Sequence, residues 1–224
     1  MIARTPPGKT PRTPHDVEPV AGAQTGRGRH PLVAVVPAAA PRRAKRRLAG
    51  MVAAEDRERL ARQLFAHTLS VALAVGPVAV VSHSRELLDH AEAAGAVGLT
   101  ETSNTLNEAI AQGLAWAAEV ADAAIVLPTD LPRVSAADIE ALVAAAGTAS
   151  RALAVARCQR NDGTNGLYVR PPDLVAPAYG HDSAQAHVDA AAAIGASATS
   201  VFLPGFVDLD VPEDWVRWGP SDLG

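Results

Sequence analysis

The chain has 224 residues and a formal net charge of −4, with 48% hydrophobic and 20% charged residues. These proportions are those of a folded globular protein, and the negative charge gives no electrostatic footprint for a nucleic-acid partner. The single cysteine, Cys158, excludes an internal disulfide framework, and no apolar run approaches the roughly 18 residues of a membrane span, so we expect a cytoplasmic protein with no membrane partner.

The first 30 residues differ in composition from the rest of the chain. They contain five prolines and no hydrophobic period. Such a segment cannot bury enough apolar area to offset the entropy of ordering it, which predicts a disordered tail over residues 1–30. The remaining sequence predicts one folded domain over residues 31–218, followed by a short C-terminal tail over 219–224.

From residue 32 onward, short runs of apolar residues alternate with Ala/Leu-rich stretches of helical period. Strands are predicted over residues 32–37, 78–82, 123–127, 151–157, 167–170, 201–203 and 207–209. Helices are predicted over 55–74, 85–94, 104–120, 135–146 and 181–194, with a last helix beginning at Pro212. This alternation predicts an α/β fold with a doubly wound, mainly parallel sheet, in which ligands bind beyond the carboxyl ends of the strands.

A basic loop follows the first predicted strand. It contains five cationic residues within six positions: Arg42, Arg43, Lys45, Arg46 and Arg47. Cationic side chains at that edge of a sheet suit a phosphate-rich ligand, and arginine can bind phosphate oxygens with two parallel hydrogen bonds. A solvated basic turn or an RNA-contacting patch would have the same composition.

Carboxylates follow two other predicted strands. Asp130 comes just after the central strand at 123–127, where it is placed to hold a divalent metal against nucleotide phosphates. Asp208 and Asp210 lie two residues apart on a predicted strand, which would point both carboxylates to one face. A bound cation would relieve their repulsion, but a turn role for Asp130 and a helix-capping role for Asp210 remain alternatives.

Two glycine-containing segments predict anion-binding turns. In residues 162–166, Thr164 and Asn165 lie between glycines, although a plain hairpin turn would look alike. In the second segment, Gly180 precedes Ser183 at the start of a predicted helix, and a helix N-terminus favours anions. His187 lies one turn further along the same face, where it either contacts the ligand or packs in the core.

Taken in order, these segments resemble one family, the CofC/FbiD guanylyltransferases, whose fold is that of the GT-A-like nucleotidyltransferases. The resemblance covers nearly the whole chain from Leu32 to Trp215. The matching motifs are the Lys45-x-Arg47-Leu48 loop, Leu106-Asn107-x-Ala109, Pro128-x-Asp130-Leu-Pro132, Gly163-Thr164-Asn165, Gly180-x-Asp-Ser183-x-x-x-His187 and Asp208-x-Asp210-x-Pro-Glu-Asp214.

The resemblance implies the transfer of GMP from GTP to 2-phospho-L-lactate or phosphoenolpyruvate, with release of pyrophosphate, during coenzyme F(420) biosynthesis. It implies a magnesium ion held by Asp130 and Asp208, with Asp210 close by. Lys45 and Arg47 would contact the triphosphate, and Asn107 would lie near the nucleotide. The acceptor would be bound by residues of the two glycine-containing segments: Thr164, Asn165, Gly180, Ser183 and His187.

The chain departs from this family at one position. The family's first loop usually reads Pro-Val-Lys-Pro, whereas residues 37–40 read Pro-Ala-Ala-Ala, so that Ala39 replaces the customary lysine. Two alternatives therefore stay open: a nucleotidyltransferase with another specificity (CTP, sugar phosphate or molybdopterin type), and a nucleotide-binding paralogue with impaired catalysis. The sequence does not decide among the phospho-acid acceptors, and it leaves a homodimer open.

Overall fold

The computed structural model of the chain describes residues 28–158 and 163–218. Residues 1–27, which make up most of the tail predicted over 1–30, lie outside the described residues, as do residues 159–162 and the predicted C-terminal tail at 219–224. The strands are β1 (Val33–Pro37), β2 (Val78–Ser82), β3 (Val97–Thr100), β4 (Ala124–Val126), β5 (Ala152–Arg157), β6 (Thr164–Arg170) and β7 (Ser197–Val201). The α-helices are α1 (Ala54–Val75), α2 (Arg85–Ala93), α3 (Leu106–Val120), α4 (Ala136–Ala145), α5 (Ser183–Ala193) and α6 (Pro212–Trp218). Within these described ranges, no helix is long and apolar enough to cross a membrane.

The strands form one seven-stranded sheet in the order β3-β2-β1-β4-β6-β5-β7. The first four are mutually parallel, and β7 is parallel to β5. Only β6 runs the other way, antiparallel to both β4 and β5. The predicted mainly parallel sheet is therefore confirmed, with one reversed strand inside it.

Helices cover both faces of the sheet, as the doubly wound prediction requires. On one face, α1, α2 and α4 pack through residues such as Phe65, Leu87 and Ile139. On the other face, α3 and α5 pack through residues such as Ile110 and Ala191. The central strands are buried on both sides, which explains why their sequences are continuous apolar runs.

The two edge strands were the least predictable. The sequence analysis missed β3, which is only four residues long, contains Gly98 and has partly exposed side chains. The predicted strand at 201–203 is wrong in its limits, because β7 occupies Ser197–Val201 instead. Both strands lie at an edge of the sheet, where partial exposure removes the apolar signal on which strand prediction depends.

The predicted strand at 207–209 is also wrong. Val207, Asp208 and Leu209 are buried, but they join no strand of the sheet. The backbone N–H of Leu209 instead donates to the carbonyl of Asp130, at 2.9 Å. Burial against the end of the sheet therefore gave these residues a strand-like composition without strand pairing.

The contacts of the domain begin slightly before the predicted boundary at residue 31. His30 forms a parallel bridge with Ala121, and the Arg29 guanidinium donates to the Asp122 carboxylate at 2.8 Å. Residues 29 and 30 therefore contact the folded domain through backbone and side-chain hydrogen bonds.

The direction of the strands decides where functional residues meet. The carboxyl ends of β1, β2, β3 and β4 share one edge of the sheet because these strands are parallel. The reversed strand β6 starts at that same edge, since Arg157 at the end of β5 pairs with Thr164 at its beginning. Loops after β1 to β4 and the first residues of β6 therefore come together there.

A close approach of α3 to the sheet generates a stability prediction. A Cβ at Gly113 would overlap the side chain of Val35 in β1. Alanine favours helices by about 1 kcal/mol over glycine, but overpacking a core costs about 1–3 kcal/mol. We expect Gly113→Ala to lower the free energy of unfolding by up to about 2 kcal/mol, measured by denaturant titration.

Gly50→Ala is the matched control, since a Cβ there would meet no atom within 4 Å. We expect a Val35→Ala change to recover part of the stability lost in Gly113→Ala, because it removes the overlapping methyl groups. An unchanged or raised stability in Gly113→Ala would contradict the proposed close packing.

Candidate functional site

A cleft of about 730 Å³ opens at the shared carboxyl edge of the sheet. Its walls come from the loops after β1, β2, β3 and β4, from the beginning of α3, and from α1. The polar and charged residues that line it are Arg43, Lys45, His83, Glu101, Asn104, Thr129, Asp130 and Asp210. The cleft is where the sequence analysis places the ligand, because it lies beyond the ends of the parallel strands.

The basic loop folds into two short 3₁₀ turns, Pro41–Arg43 and Arg46–Leu48, joined through Lys45. Lys45 has a φ of 53°, in the left-handed region that costs a non-glycine residue conformational energy. Its side chain is only 6% exposed, and Nζ lies 3.5 Å from Oδ2 of Asp130. The structure therefore brings the predicted triphosphate lysine and the predicted metal ligand together in the cleft.

A second ion pair joins the same loop to the C-terminal segment. Nη1 of Arg47 donates to Oδ2 of Asp210 at 2.6 Å, with Arg47 largely exposed. Behind the pair, Leu48 and Leu209 are fully buried in one apolar cluster with residues of α1. This cluster fixes the basic loop against the chain that carries Asp208 and Asp210.

Asp208 lies deeper than its two predicted partners. It is 7% exposed, and its Oδ1 accepts a hydrogen bond of 3.3 Å from Nδ2 of Asn165. Nδ2 of Asn165 also donates to the carbonyl of Phe206, at 2.7 Å. Asn165, predicted to bind substrate, therefore holds the segment leading into Asp208.

The expectation that Asp208 and Asp210 share one strand face is wrong, because this segment pairs with no strand. Asp210 lines the cleft, whereas Asp208 is buried beside Asn165. Oδ2 of Asp214 accepts hydrogen bonds from the backbone N–H groups of Asp210 and Val211, both at 3.0 Å. The free backbone N–H groups just before α6 are therefore hydrogen-bonded by the side chain of Asp214.

The donor atoms of Asp130, Asp208 and Asp210 are carboxylate oxygens, the ligand type that magnesium prefers. No group of three His, Cys, Asp or Glu side chains in the described ranges is arranged to hold a metal by itself. Magnesium in nucleotide-processing sites takes one or two carboxylates and completes its coordination with phosphate oxygens and water. The donor set fits a metal site that the substrate completes.

The two predicted anion-binding turns meet through their side chains. Oγ1 of Thr164 lies 3.0 Å from Oγ of Ser183 and 3.2 Å from Nδ1 of His187. All three side chains are buried, and none of them is among the described residues that line the 730 Å³ cleft. The structure therefore groups these three predicted substrate-binding residues beside it, at the beginning of β6.

The hydrogen bonds of His187 fix its tautomer. The backbone N–H of Ala178 donates to Nε2 at 2.9 Å, so Nε2 carries no proton and the ring proton is on Nδ1, which lies 3.2 Å from Oγ1 of Thr164 and also has the Ser183 backbone as an acceptor. Burial lowers the pKa of His187 to about 4, which keeps the ring neutral at neutral pH. Thr164 and Ser183 then hold two hydroxyl protons and share one hydrogen bond, which leaves one proton to donate to an anion.

Asn107 and Gly180 shape the segment before α5. Asn107 donates from Nδ2 to the carbonyl of Tyr179 and accepts at Oδ1 from its backbone N–H, at 3.1 and 2.8 Å. Gly180 has a φ of +148°, a conformation that L side chains rarely adopt. Asn107 thus holds this turn, and its neighbours Leu106 and Ala109 line the cleft.

The sequence analysis missed His83 and Glu101, which line the cleft from the ends of β2 and β3. Glu101 has a side chain 14% exposed, with Oε2 3.6 Å from Nε2 of His83. Each follows a strand directly, and this position is the signal that led to Asp130. For Glu101 this signal is absent because β3 itself is not predicted, whereas His83 directly follows the predicted strand at 78–82 and could be found in this way.

Comparison with solved structures shows which known fold the chain shares. A nucleotidyl transferase from Methanothermobacter thermautotrophicus superposes with a TM-score of 0.57 at 17% identity, covering 83% of this chain and 94% of that one. At this level of identity the likeness establishes the shared fold.

Comparison of sequences is more specific. The family model described as "Guanylyl transferase CofC like" matches residues 32–217. The chain belongs to this family. A phosphoenolpyruvate guanylyltransferase from Sphaerobacter thermophilus is 35% identical over 187 residues, covering 81% of this chain and 89% of the relative. A 3-phospho-D-glycerate guanylyltransferase from Phenylobacterium zucineum is 36% identical over 190 residues, covering 81% and 86%.

The buried neutral His187 predicts a specific pH dependence of stability. In the folded protein its pKa is about 4, whereas in the unfolded chain it is about 6.5. Between these values the unfolded state binds a proton that the folded state does not, so acidification favours unfolding. We expect His187 to lower the free energy of unfolding by up to about 3 kcal/mol between pH 7 and 4.

The measurement is the difference in unfolding free energy between the wild type and His187→Asn across this pH range. Asparagine retains an N–H donor near Nδ1 but does not titrate. We expect the difference to shrink on acidification, whereas a control variant of the largely exposed His181, His181→Asn, should follow the wild type. Parallel pH profiles for the wild type and His187→Asn would contradict the buried neutral imidazole.

Proposed function

We propose that this protein is a guanylyltransferase that transfers GMP from GTP to phosphoenolpyruvate and releases pyrophosphate, as a step in coenzyme F(420) biosynthesis. The observation that carries the proposal is the Lys45–Asp130 pair in the cleft, 3.5 Å apart between the ends of β1 and β4. It provides a cation for phosphate oxygens and a carboxylate for a metal in one place, within a chain of the guanylyl transferase family.

In this proposal the acceptor phosphate attacks the α-phosphorus of GTP in line, and the bond to the β-phosphate oxygen breaks. The acceptor phosphate is already a nucleophile, so the reaction requires no strong general base. Lys45 and Arg47 stabilise negative charge on the triphosphate and on the departing pyrophosphate. A magnesium ion bound by Asp130 and Asp208, with Asp210 close by, would neutralise further phosphate charge.

The acceptor is bound beside the nucleotide by the group at the beginning of β6. Thr164 and Ser183 supply the hydroxyl donor whose orientation His187 fixes, and Gly180 shapes the adjoining turn. Phosphoenolpyruvate is the acceptor in the name of the Sphaerobacter relative, and 3-phospho-D-glycerate in that of the Phenylobacterium relative. The alternatives 3-phospho-D-glycerate and 2-phospho-L-lactate differ from phosphoenolpyruvate by a few atoms next to the same phosphate and carboxylate.

Lys45 is the reason we favour an active enzyme over an impaired paralogue despite Ala39. Ala39 lines the same cleft as Lys45. Lys45, which belongs to a motif that matches the family, retains a buried amino group in the cleft as a phosphate-binding cation although the usual first-loop lysine is missing. Charge is thus available without the lysine at position 39.

The direct test is incubation with GTP, magnesium and each of the three acceptors, with mass detection of the capped product. We expect product with phosphoenolpyruvate, and no comparable product when CTP or ATP replaces GTP. Product from CTP instead would support a transferase of another specificity. Nucleotide binding without product from any acceptor would support the paralogue.

The metal assignment predicts the behaviour of two aspartates. Asp130→Asn and Asp208→Asn should each lower kcat at saturating magnesium by at least about 100-fold, because an amide is a much weaker magnesium ligand than a carboxylate. Asp173→Asn, which changes an exposed carboxylate outside the cleft, is the control. Near-native turnover in both site variants, with folding verified by circular dichroism, would refute the assignment.

The two halves of the site predict separate kinetic effects. Ser183→Ala should raise the KM of the acceptor by about 10- to 100-fold, the loss of a hydrogen bond to a charged group, and leave the KM of GTP nearly unchanged. Lys45→Ala should do the reverse, because it removes a phosphate-binding cation.

The exposed Ser150→Ala serves as the control for Ser183→Ala, and steady-state kinetics with each substrate varied in turn is the measurement. If Ser183→Ala raised the KM of GTP and left the KM of the acceptor unchanged, the assignment of the two halves of the site would be reversed.

A further inference from the structure

The order of residues along the sheet edge divides the cleft into two ends. Lys45 and Asp130 lie between the ends of β1 and β4, and Glu101 lies at the end of β3. In the order β3-β2-β1-β4 the end of β3 lies two strand spacings from that of β1 and three from that of β4, or about 10–14 Å. That span is comparable to the length of a nucleoside triphosphate, so a nucleotide with its phosphates at Lys45 reaches Glu101 with its base.

The backbone that carries Glu101 is held by two neighbouring elements, β2 and α3. Its N–H donates to the carbonyl of Ser82 at 3.0 Å. The side-chain amide of Gln112, on α3, donates to the carbonyl of Thr100 at 2.9 Å and accepts from the N–H of Thr102 at 3.2 Å. Glu101 is therefore fixed on both sides before any ligand binds.

His83 fixes the same segment from β2. Its Nε2 donates to the carbonyl of Ser103 at 2.5 Å and lies 3.6 Å from Oε2 of Glu101. In the part of the chain that the structure describes, no lysine or arginine forms an ion pair with Glu101. The carboxylate is largely buried yet lines the cleft, which suits it to accept hydrogen bonds from a ligand.

Apolar surface borders this end of the cleft. Leu106, at the start of α3, lines the cleft and is 52% exposed, and Ala39 and Ala40 line the cleft from the loop after β1. An exposed leucine together with small side chains offers contact area for a flat aromatic ring. A planar base with polar groups along one edge fits both this surface and the carboxylate.

We propose that Glu101 selects guanine, by accepting hydrogen bonds from the N1–H and the 2-amino group of the base. This assignment rests on the proposed function and names the residue that gives it nucleotide specificity. Guanine presents those two donors side by side, and a carboxylate accepts both. Adenine and cytosine place an unprotonated ring nitrogen beside their amino group, and uracil flanks its single donor with two carbonyls, so each of them sets an acceptor against the carboxylate.

The experiment compares GTP, ITP and ATP in the wild type and in Glu101→Gln. Inosine lacks only the 2-amino group. For the wild type we expect kcat/KM with ITP to be about tenfold or more below that with GTP, the loss of one hydrogen bond to a charged group. In Glu101→Gln we expect kcat/KM for GTP to fall about 10- to 100-fold and the GTP/ITP ratio to approach one.

The same variant has a second expected signature. A glutamine amide can accept from the adenine 6-amino group and donate to N1. The ratio of kcat/KM for GTP to kcat/KM for ATP should therefore fall by a larger factor than kcat/KM for GTP does. The KM of the acceptor should stay unchanged, which a general structural defect would not achieve. Glu140→Gln, an exposed glutamate on α4, is the matched control and should keep all wild-type ratios.

Direct binding of the three nucleotides to the wild type separates this inference from the proposed function. If no acceptor yields product but GTP binds at least about tenfold more tightly than ITP, the proposed function fails and the role of Glu101 stands. If the wild type binds GTP and ITP equally, or Glu101→Gln keeps the GTP/ITP ratio, the role of Glu101 is refuted. Glu101→Asp repeats the test should the glutamine variant fail to fold.

Discussion

The site depends on one constraint, the alignment of strand ends at a single edge of the sheet. Four parallel strands must bring their carboxyl ends together, and the reversed β6 must begin where they finish. Along this edge the chain places Glu101, then Lys45 with Asp130, then Thr164. A strand in the usual direction at the position of β6 would carry Thr164 to the opposite edge, away from the cleft.

The basic loop and the C-terminal segment stabilise each other at this edge. Lys45 is buried beside Asp130, and removing a charge from water costs several kcal/mol unless a partner compensates. The Arg47–Asp210 pair is more exposed and contributes less by itself. The apolar cluster around Leu48 therefore supplies much of the attachment, and the ion pairs decide which charges face the cleft.

The parts of the fold that could be predicted from the sequence are those with a strong local sequence pattern. Buried parallel strands are continuous apolar runs, so the sheet and the position of Asp130 after β4 could be predicted. Ser183 was likewise placed at a helix start. The strand β3 could not be predicted because its side chains are partly exposed and its sequence is not a continuous apolar run. The segment around Asp208 was wrongly predicted as a strand because it is buried and apolar although it pairs with no strand. The double hydrogen bond of Asn107 to a backbone 72 residues away has no local signal.

Under the proposed function, the distribution of charge along the edge would also give the substrates a direction. Glu101 is acidic and lacks a lysine or arginine partner among the described residues, so a triphosphate bound in reverse would set phosphates against a largely buried carboxylate. Like charges a few ångströms apart repel strongly where water is partly excluded. At the other end, neutral Thr164 and Ser183 would donate a hydroxyl proton to a bound acceptor anion without attracting the triphosphate as a cation would. The acidic, cationic and neutral regions therefore each suit one part of the reacting pair: the base, the phosphates and the acceptor.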